Sequence, residues 1–177
     1  NHALFRKWQG RQIYQLWQKN KILAEMGVDY CFNFAMNKKQ RKIDKLTFLK
    51  FLQNNLNVIA VVVGTDFRFG NQAKGEINDL INLFGPENVV TVPVVRNRQG
   101  EAKISSTIIR NYMQTKQITT AYQQLYEPVI WYGRIVPGRR QGRKIGIPTL
   151  NQKLPVSFCL PIGIYFSQVF IEQKWWS

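Results

Sequence analysis

"VIAVVVGTDFRFG" (residues 58–70) runs from a β-branched apolar segment directly into a turn bounded by glycines. Valine and isoleucine are stiff at χ1 and suit a pleated backbone. An unbroken run of them predicts a strand buried on both faces of a parallel sheet. In open α/β sheets, ligands bind beyond the carboxyl ends of the strands, which makes residues 64–70 a candidate site. Gly64 and Gly70 permit close backbone approach, Asp66 offers an acceptor, and Phe67 and Phe69 can flank a flat ring. The plainer alternative is a turn that carries two core phenylalanines.

Outward from this strand, helical and extended patterns alternate. Residues 11–26, "RQIYQLWQKNKILAEM", place Ile13, Leu16, Trp17, Ile22, Leu23 and Met26 at roughly helical spacing, with Gly27 as a stop. "DYCFNFAM" (29–36) reads as a strand, and "DKLTFLKFLQNNL" (44–56) as an amphipathic helix opened by an Asp cap. "KGEINDLINLFG" (74–85) predicts a helix ending on glycine, and "NVVTVPVV" (88–95) a strand. Two more helices follow, from "SSTIIRNYMQT" (105–115) and "TTAYQQLY" (119–126). Alternation of this kind argues for a parallel α/β sheet. From Glu127-Pro128 the pattern changes to short extended runs without helices: "VIWYGRIV" (129–136), "GIYFSQVFIE" (163–172) and the beginning of another in "QKWWS" (173–177). An antiparallel barrel or sandwich is expected there. Two or three strands rarely form a stable sheet alone, so this second domain reads as incomplete.

Two further motifs carry chemistry. In "KISSTIIRNYM" (103–113), Ser105, Ser106 and Thr107 crowd the start of a helix that needs only one cap. Ser106 and Arg110 are four apart and share a helix face. The N-terminus of a helix presents unpaired N–H groups and partial positive charge, an anion site in waiting. The alternative is an ordinary cap beside a surface arginine. In "GRIVPGRRQGRKIGIPTLN" (133–151), Gly138, Gly142 and Gly146 permit a loop whose amides cradle phosphate, and Arg143 and Lys144 add charge. Thr149 and Asn151 supply hard oxygens suited to Mg²⁺. A flexible basic hairpin is the competing reading.

Composition bounds the class without choosing a function. The 177 residues carry a net charge of +15 and are 45% hydrophobic, with five Trp. Such a chain can bury a core, and its charge reads either as a lysine-rich solvated surface or as a sign of polyanionic partners, nucleic acid or small ligands such as nucleotides. A single His rules out a histidine metal cluster. Cys31 and Cys159 lie far apart without metal spacing and read as free thiols of a reducing compartment. The longest apolar run, at 58–63, is far short of the ~20 residues of a membrane span, and no signal peptide is visible. Cytoplasmic localisation is the expectation.

Taken in order, "VVVGTDFRFG", "ISSTIIR" and "GRIVPGRRQGRKIGIPTLN" resemble the bacterial bifunctional riboflavin kinase/FMN adenylyltransferase (FAD synthetase) family. "PTLN" stands where that family commonly has "PTAN". The resemblance implies a Rossmann-like α/β nucleotidylyltransferase domain over residues 1–126. It implies a riboflavin kinase domain, part of a six-stranded antiparallel β-barrel, over 127–177. The implied substrates are ATP with Mg²⁺, FMN and riboflavin, and the product is FAD. His2 would stand at the second His of the family's His-x-Gly-His element and donate to the ATP phosphates, with Asn1 the alternative at that position. Ser105, Ser106, Thr107 and Arg110 would hold the adenylyltransferase's ATP, while Gly64, Asp66, Phe67 and Phe69 would line the flavin or nucleotide cleft. Gly138, Gly142, Lys144, Gly146, Thr149 and Asn151 would form the kinase's ATP site, with Thr149 and Asn151 as metal ligands. Family segments expected before residue 1, near 9–11 and after 177 are not in this sequence, and the kinase's carboxylate base is among them. Competing readings are a basic nucleic-acid-binding protein and a flavin-binding homologue with lapsed catalysis.

Overall fold

The computed structural model describes residues 11–34, 37, 39–97, 103–139, 141–147 and 149–176. His2 and Asn1 lie outside the described residues. Helix α1 (Leu16–Glu25) realises the first helical pattern, and the chain then turns at Gly27 with φ of +83°. The expected strand at 29–36 is not formed over its described residues 29–34. Tyr30, Phe32 and Phe34 are exposed, and residues 29–34 join no ladder among the described residues, so the hydrogen bonds that define a strand are not made there.

Helix α2 (Lys45–Leu56) begins at the Asp44 cap, whose Oδ1 accepts from the Thr47 N–H at 3.0 Å. Strand β1 (Val61–Gly64), helix α3 (Ile77–Phe84) and strand β2 (Val89–Val92) form a β-α-β unit. β1 and β2 pair in parallel, with Val61 opposite Val89 and Gly64 opposite Val92. A parallel pair requires such a crossover, because no hairpin can join its ends. Leu49 of α2, Leu80 and Phe84 of α3, and Phe69 form one buried cluster, with Val61, Val63 and Val89 packed against it. Val62 points the other way and is 69% exposed. The strand is therefore covered on one face only, which corrects the expectation of burial on both. Strand period two decides this: helices α2 and α3 both contribute to the same side.

After β2 the chain makes an isolated antiparallel bridge, Arg96 to Lys103, and the Ile104 N–H donates to Val95 O at 2.9 Å. This return path delivers Ser105 to the start of helix α4 (Ser106–Gln114), which is followed by helix α5 (Ile118–Tyr122). Ile109 and Met113 of α4 and Ala121 of α5 are buried with Ile13 and Cys159 in a second cluster. Val129 and Trp131 pack against it, so this core includes residues from both sides of the expected boundary at 127. Cys159 and Cys31 are free thiols, the first buried and the second exposed.

Beyond 128 the chain forms two antiparallel hairpins. β3 (Arg134–Val136) pairs with β4 (Asn151–Lys153), and β5 (Val169–Ile171) with β6 (Lys174–Trp176). Glu172 and Gln173 join the latter pair with φ of 51° and 62°, the signature of a tight turn whose twist matches the strands. The described residues give three separate two-stranded sheets, so the expected barrel is not closed. A barrel needs each strand to be paired on both edges, and each strand of these hairpins has one partner among the described residues. The glycine-rich loop is also not devoid of helix: α6 (Gln141–Lys144) forms one turn, closed where the Ile147 N–H donates to Gly142 O at 2.8 Å. No helix among the described residues is long and apolar enough to cross a membrane.

Candidate active sites

The turn after β1 is built by local bonds. The Phe67 N–H donates to Gly64 O at 2.9 Å, and the Thr65 N–H reaches across to Val92 O at 3.0 Å. This presents Asp66 at the carboxyl end of both strands. Asp66 is exposed and pairs with Lys103, which stands two residues before Ser105. The Lys103 hydrogen bond holds the Asp66 carboxyl below the ordinary carboxylate range. Phe69 turns inward: it is buried against Phe48, with ring centroids 5.3 Å apart, and Phe67 stacks on it at 5.8 Å. Gly75 is needed here, since a Cβ would lie 2.6 Å from the Phe69 ring. Of the four residues expected around the cleft, Gly64 and Asp66 lie at the strand ends, and Phe69 belongs to the core.

At α4 the hydroxyls divide their tasks. Ser105 caps the helix, its Oγ accepting from the Ile108 N–H at 3.3 Å. Ser106 and Thr107 are exposed. Arg110 is only 3% exposed, and loss of hydration lowers its pKa from the ordinary guanidinium value. Ser106 and Arg110 both line a cavity of about 260 Å³, together with Tyr14, Lys19, Gln124 and Tyr126. Among the described residues no acidic side chain lines it. The i, i+4 spacing read from the sequence thus becomes a shared wall.

Sequence reasoning missed how α1 supports this wall. Gln18 sits on what reads as the polar side of the helix, yet it is 0% exposed. Its Nε2 donates to Pro128 O at 2.7 Å, and its Oε1 accepts from the Ile130 N–H at 3.2 Å. One amide side chain thereby supplies what a neighbouring strand would. The Tyr14 hydroxyl donates to Glu127 O at 2.6 Å, and Lys21 Nζ lies 3.0 Å from the Glu127 carboxylate. A buried glutamine has no periodic signature, so only the fold reveals it.

In the β3–β4 hairpin, Val136 pairs with Asn151. That register brings the two ends of the 133–151 motif together. The Asn151 amide occupies the space a Gly138 side chain would need, and the Thr149 hydroxyl lies 3.4 Å from where a Cβ on Gly142 would be. Gly146 takes φ of +77°, a conformation costly for other residues. Lys144 closes α6 and is exposed. Thr149 and Asn151 offer neutral oxygens at the open side of this loop, and both are exposed. No group of three or more His, Cys, Asp or Glu among the described residues could hold a metal ion, so a cation here would need oxygens from its ligand as well.

A family model described as FAD synthetase matches residues 2–108, and one described as riboflavin kinase matches residues 125–177. Curated bifunctional riboflavin kinase/FMN adenylyltransferases are similar over most of the chain. That of Buchnera aphidicola subsp. Schizaphis graminum is 28% identical, with 93% of this chain and 54% of the relative covered. The Listeria monocytogenes protein is 28% identical, covering 89% and 50%, and the Escherichia coli K12 protein 30%, covering 89% and 51%. The chain spans about half the length of these relatives. A crystal structure from Streptococcus pneumoniae, described as a macrolide-efflux protein, shares the fold at a TM-score of 0.77 and 26% identity, covering 93% of this chain and 53% of that one.

Proposed function

The chain belongs to the bacterial bifunctional riboflavin kinase/FMN adenylyltransferase (FAD synthetase) family, and on that premise we propose that it takes part in flavin cofactor synthesis through two separate ATP sites. The N-terminal part is read as a Rossmann-like nucleotidylyltransferase making FAD from FMN and ATP. The part from about residue 127 is read as the riboflavin kinase portion. The observation that carries the first assignment is the cavity shared by Ser106 and Arg110, with no acidic side chain among its described lining residues.

In adenylyl transfer a phosphate oxygen of FMN attacks the α-phosphorus of ATP, and the bond to the bridging oxygen breaks to release pyrophosphate. The nucleophile is already an anion, so the protein's contribution is positioning and stabilisation of charge on the departing phosphates. Ser106 and Arg110, with the N–H groups of α4 capped by Ser105, are assigned to those phosphates, and Thr107 stands on the same first turn. Asp66 and Gly64 at the strand ends border the nucleotide or flavin, with Phe67 behind them. His2 is assigned as a further donor to the phosphates.

In the kinase portion, Gly138, Gly142, Lys144 and Gly146 are assigned to the ATP phosphates. Thr149 and Asn151 fit Mg²⁺, which is usually held by one or two protein oxygens together with phosphates and water. When bound, the ion neutralises charge on the transferred phosphoryl group.

The test is product analysis of the full chain with ATP and Mg²⁺, given FMN in one reaction and riboflavin in another. FAD formed from FMN supports the adenylyltransferase, and FMN formed from riboflavin supports the kinase. Absence of both, with flavin still bound, would replace this reading with that of a flavin-binding homologue.

A further inference from the structure

Lys19 and Lys21 project from the same helix and have different surroundings. Lys21 lies 2.8 Å from the Glu25 carboxylate and 3.0 Å from that of Glu127. Among the described residues no acidic side chain pairs with Lys19. It lines the cavity of Ser106 and Arg110, whose described lining residues likewise include no carboxylate. We infer that Lys19 is a further phosphate-binding residue of this cavity, reaching from α1 to the triphosphate or pyrophosphate held against α4. The inference rests on the adenylyltransferase reading and deepens it.

Three features support it. First, Lys19 and Arg110 both bring positive charge to one concavity, and none of its described lining residues is acidic, which concentrates anions there. Second, the two bring complementary donors: Arg110 is a buried planar fork with few rotamers, and Lys19 is an exposed, mobile point charge. That pairing suits a ligand whose charge moves as pyrophosphate separates. Third, α1 is fixed at this distance. Gln18, the residue before Lys19, is buried and bonded to Pro128 and Ile130, and Tyr14 is bonded to Glu127. The backbone carrying Lys19 is therefore set by the fold, so its stem can reach the cavity without ordering a loop.

The experiment is titration of the full chain with pyrophosphate by calorimetry, comparing the unsubstituted protein with Lys19→Met, Lys19→Arg and Ser106→Ala. Lys19→Met keeps the apolar stem and should weaken binding by roughly three- to tenfold. The loss should shrink as salt is added, and Lys19→Arg should restore most of the affinity, neither of which a purely structural role would produce. If Ser106→Ala weakens binding and Lys19→Met does not, Lys19 is overturned and the cavity assignment stands. If neither substitution changes binding, or pyrophosphate does not bind, the inference and the site assignment fail together.

Discussion

Lys103 donates its ammonium to Asp66, so one ion pair joins the turn after β1 to the segment feeding α4, across 37 residues of chain. The pair links two motifs that the sequence could only place side by side in order.

Asp66 is held below the ordinary carboxylate range by Lys103. A depressed folded value means that the pair's stabilisation is present above the unfolded pKa, near pH 4, and is lost as pH falls through the folded one. Lys103→Met should therefore unfold at a lower temperature than the parent at about pH 6, with the gap closing below about pH 4. Both groups are exposed, so the gap should be small and should narrow in high salt. A gap that stays constant across the pH range would contradict the pairing.

On the proposed reading, Arg110 serves the ATP phosphates from a buried position. Burying a guanidinium sacrifices hydration. Arg110→Met should therefore lose most of the stabilisation that ATP confers. A large drop in Tm with the ATP effect retained would make Arg110 a structural residue.

Gln18 carries a different weight. Gln18→Leu fills similar space but deprives Pro128 O and the Ile130 N–H of their partner. Gln18 is buried, whereas Pro128 is exposed and Ile130 half-buried, so each bond is worth about 0.5–1.5 kcal/mol net and urea unfolding should show a loss of about 1–3 kcal/mol. A loss under about 0.5 kcal/mol would mean that water replaces the amide.

Gly138 is predicted to matter through Asn151. A methyl group there would displace the Asn151 amide, which is the mobile end of a side chain, so folding should change by less than about 0.5 kcal/mol. Riboflavin phosphorylation should fall several-fold while FAD formation from FMN is unaffected. Gly142→Ala instead meets the Ile147 carbonyl, a backbone atom, and should destabilise the loop itself. Equal effects on both activities would undo the assignment of the loop to the kinase.

Much of this was legible in the residues. The Asp44 cap, the Gly85 stop, the parallel β1–β2 pair and the α4 start follow from local chemistry: short polar caps, glycine at positive φ, and β-branched runs divided by an amphipathic helix. The spacing of Ser106 and Arg110 foretold their common wall. What failed depended on partners. Residues 29–34 have a strand's composition but pair with no strand among the described residues, and Val62 is as apolar as Val61 and Val63 but faces away from the helices. The roles of Phe69 and Gln18 were hidden for the same reason. Whether a phenylalanine flanks a ligand or fills a core, and whether a glutamine meets water or backbone, is settled by what lies opposite.

The central claim is that the chain has two independent ATP sites, one at α4 and one in the β3–β4 loop. It is tested most directly by assaying Ser106→Ala and Asn151→Ala in both reactions, FMN to FAD and riboflavin to FMN. The account predicts a crossed result, with Ser106→Ala impaired only in FAD formation and Asn151→Ala only in riboflavin phosphorylation. If either substitution depresses both reactions equally, with FMN supplied directly and folding intact, the two-site account is wrong.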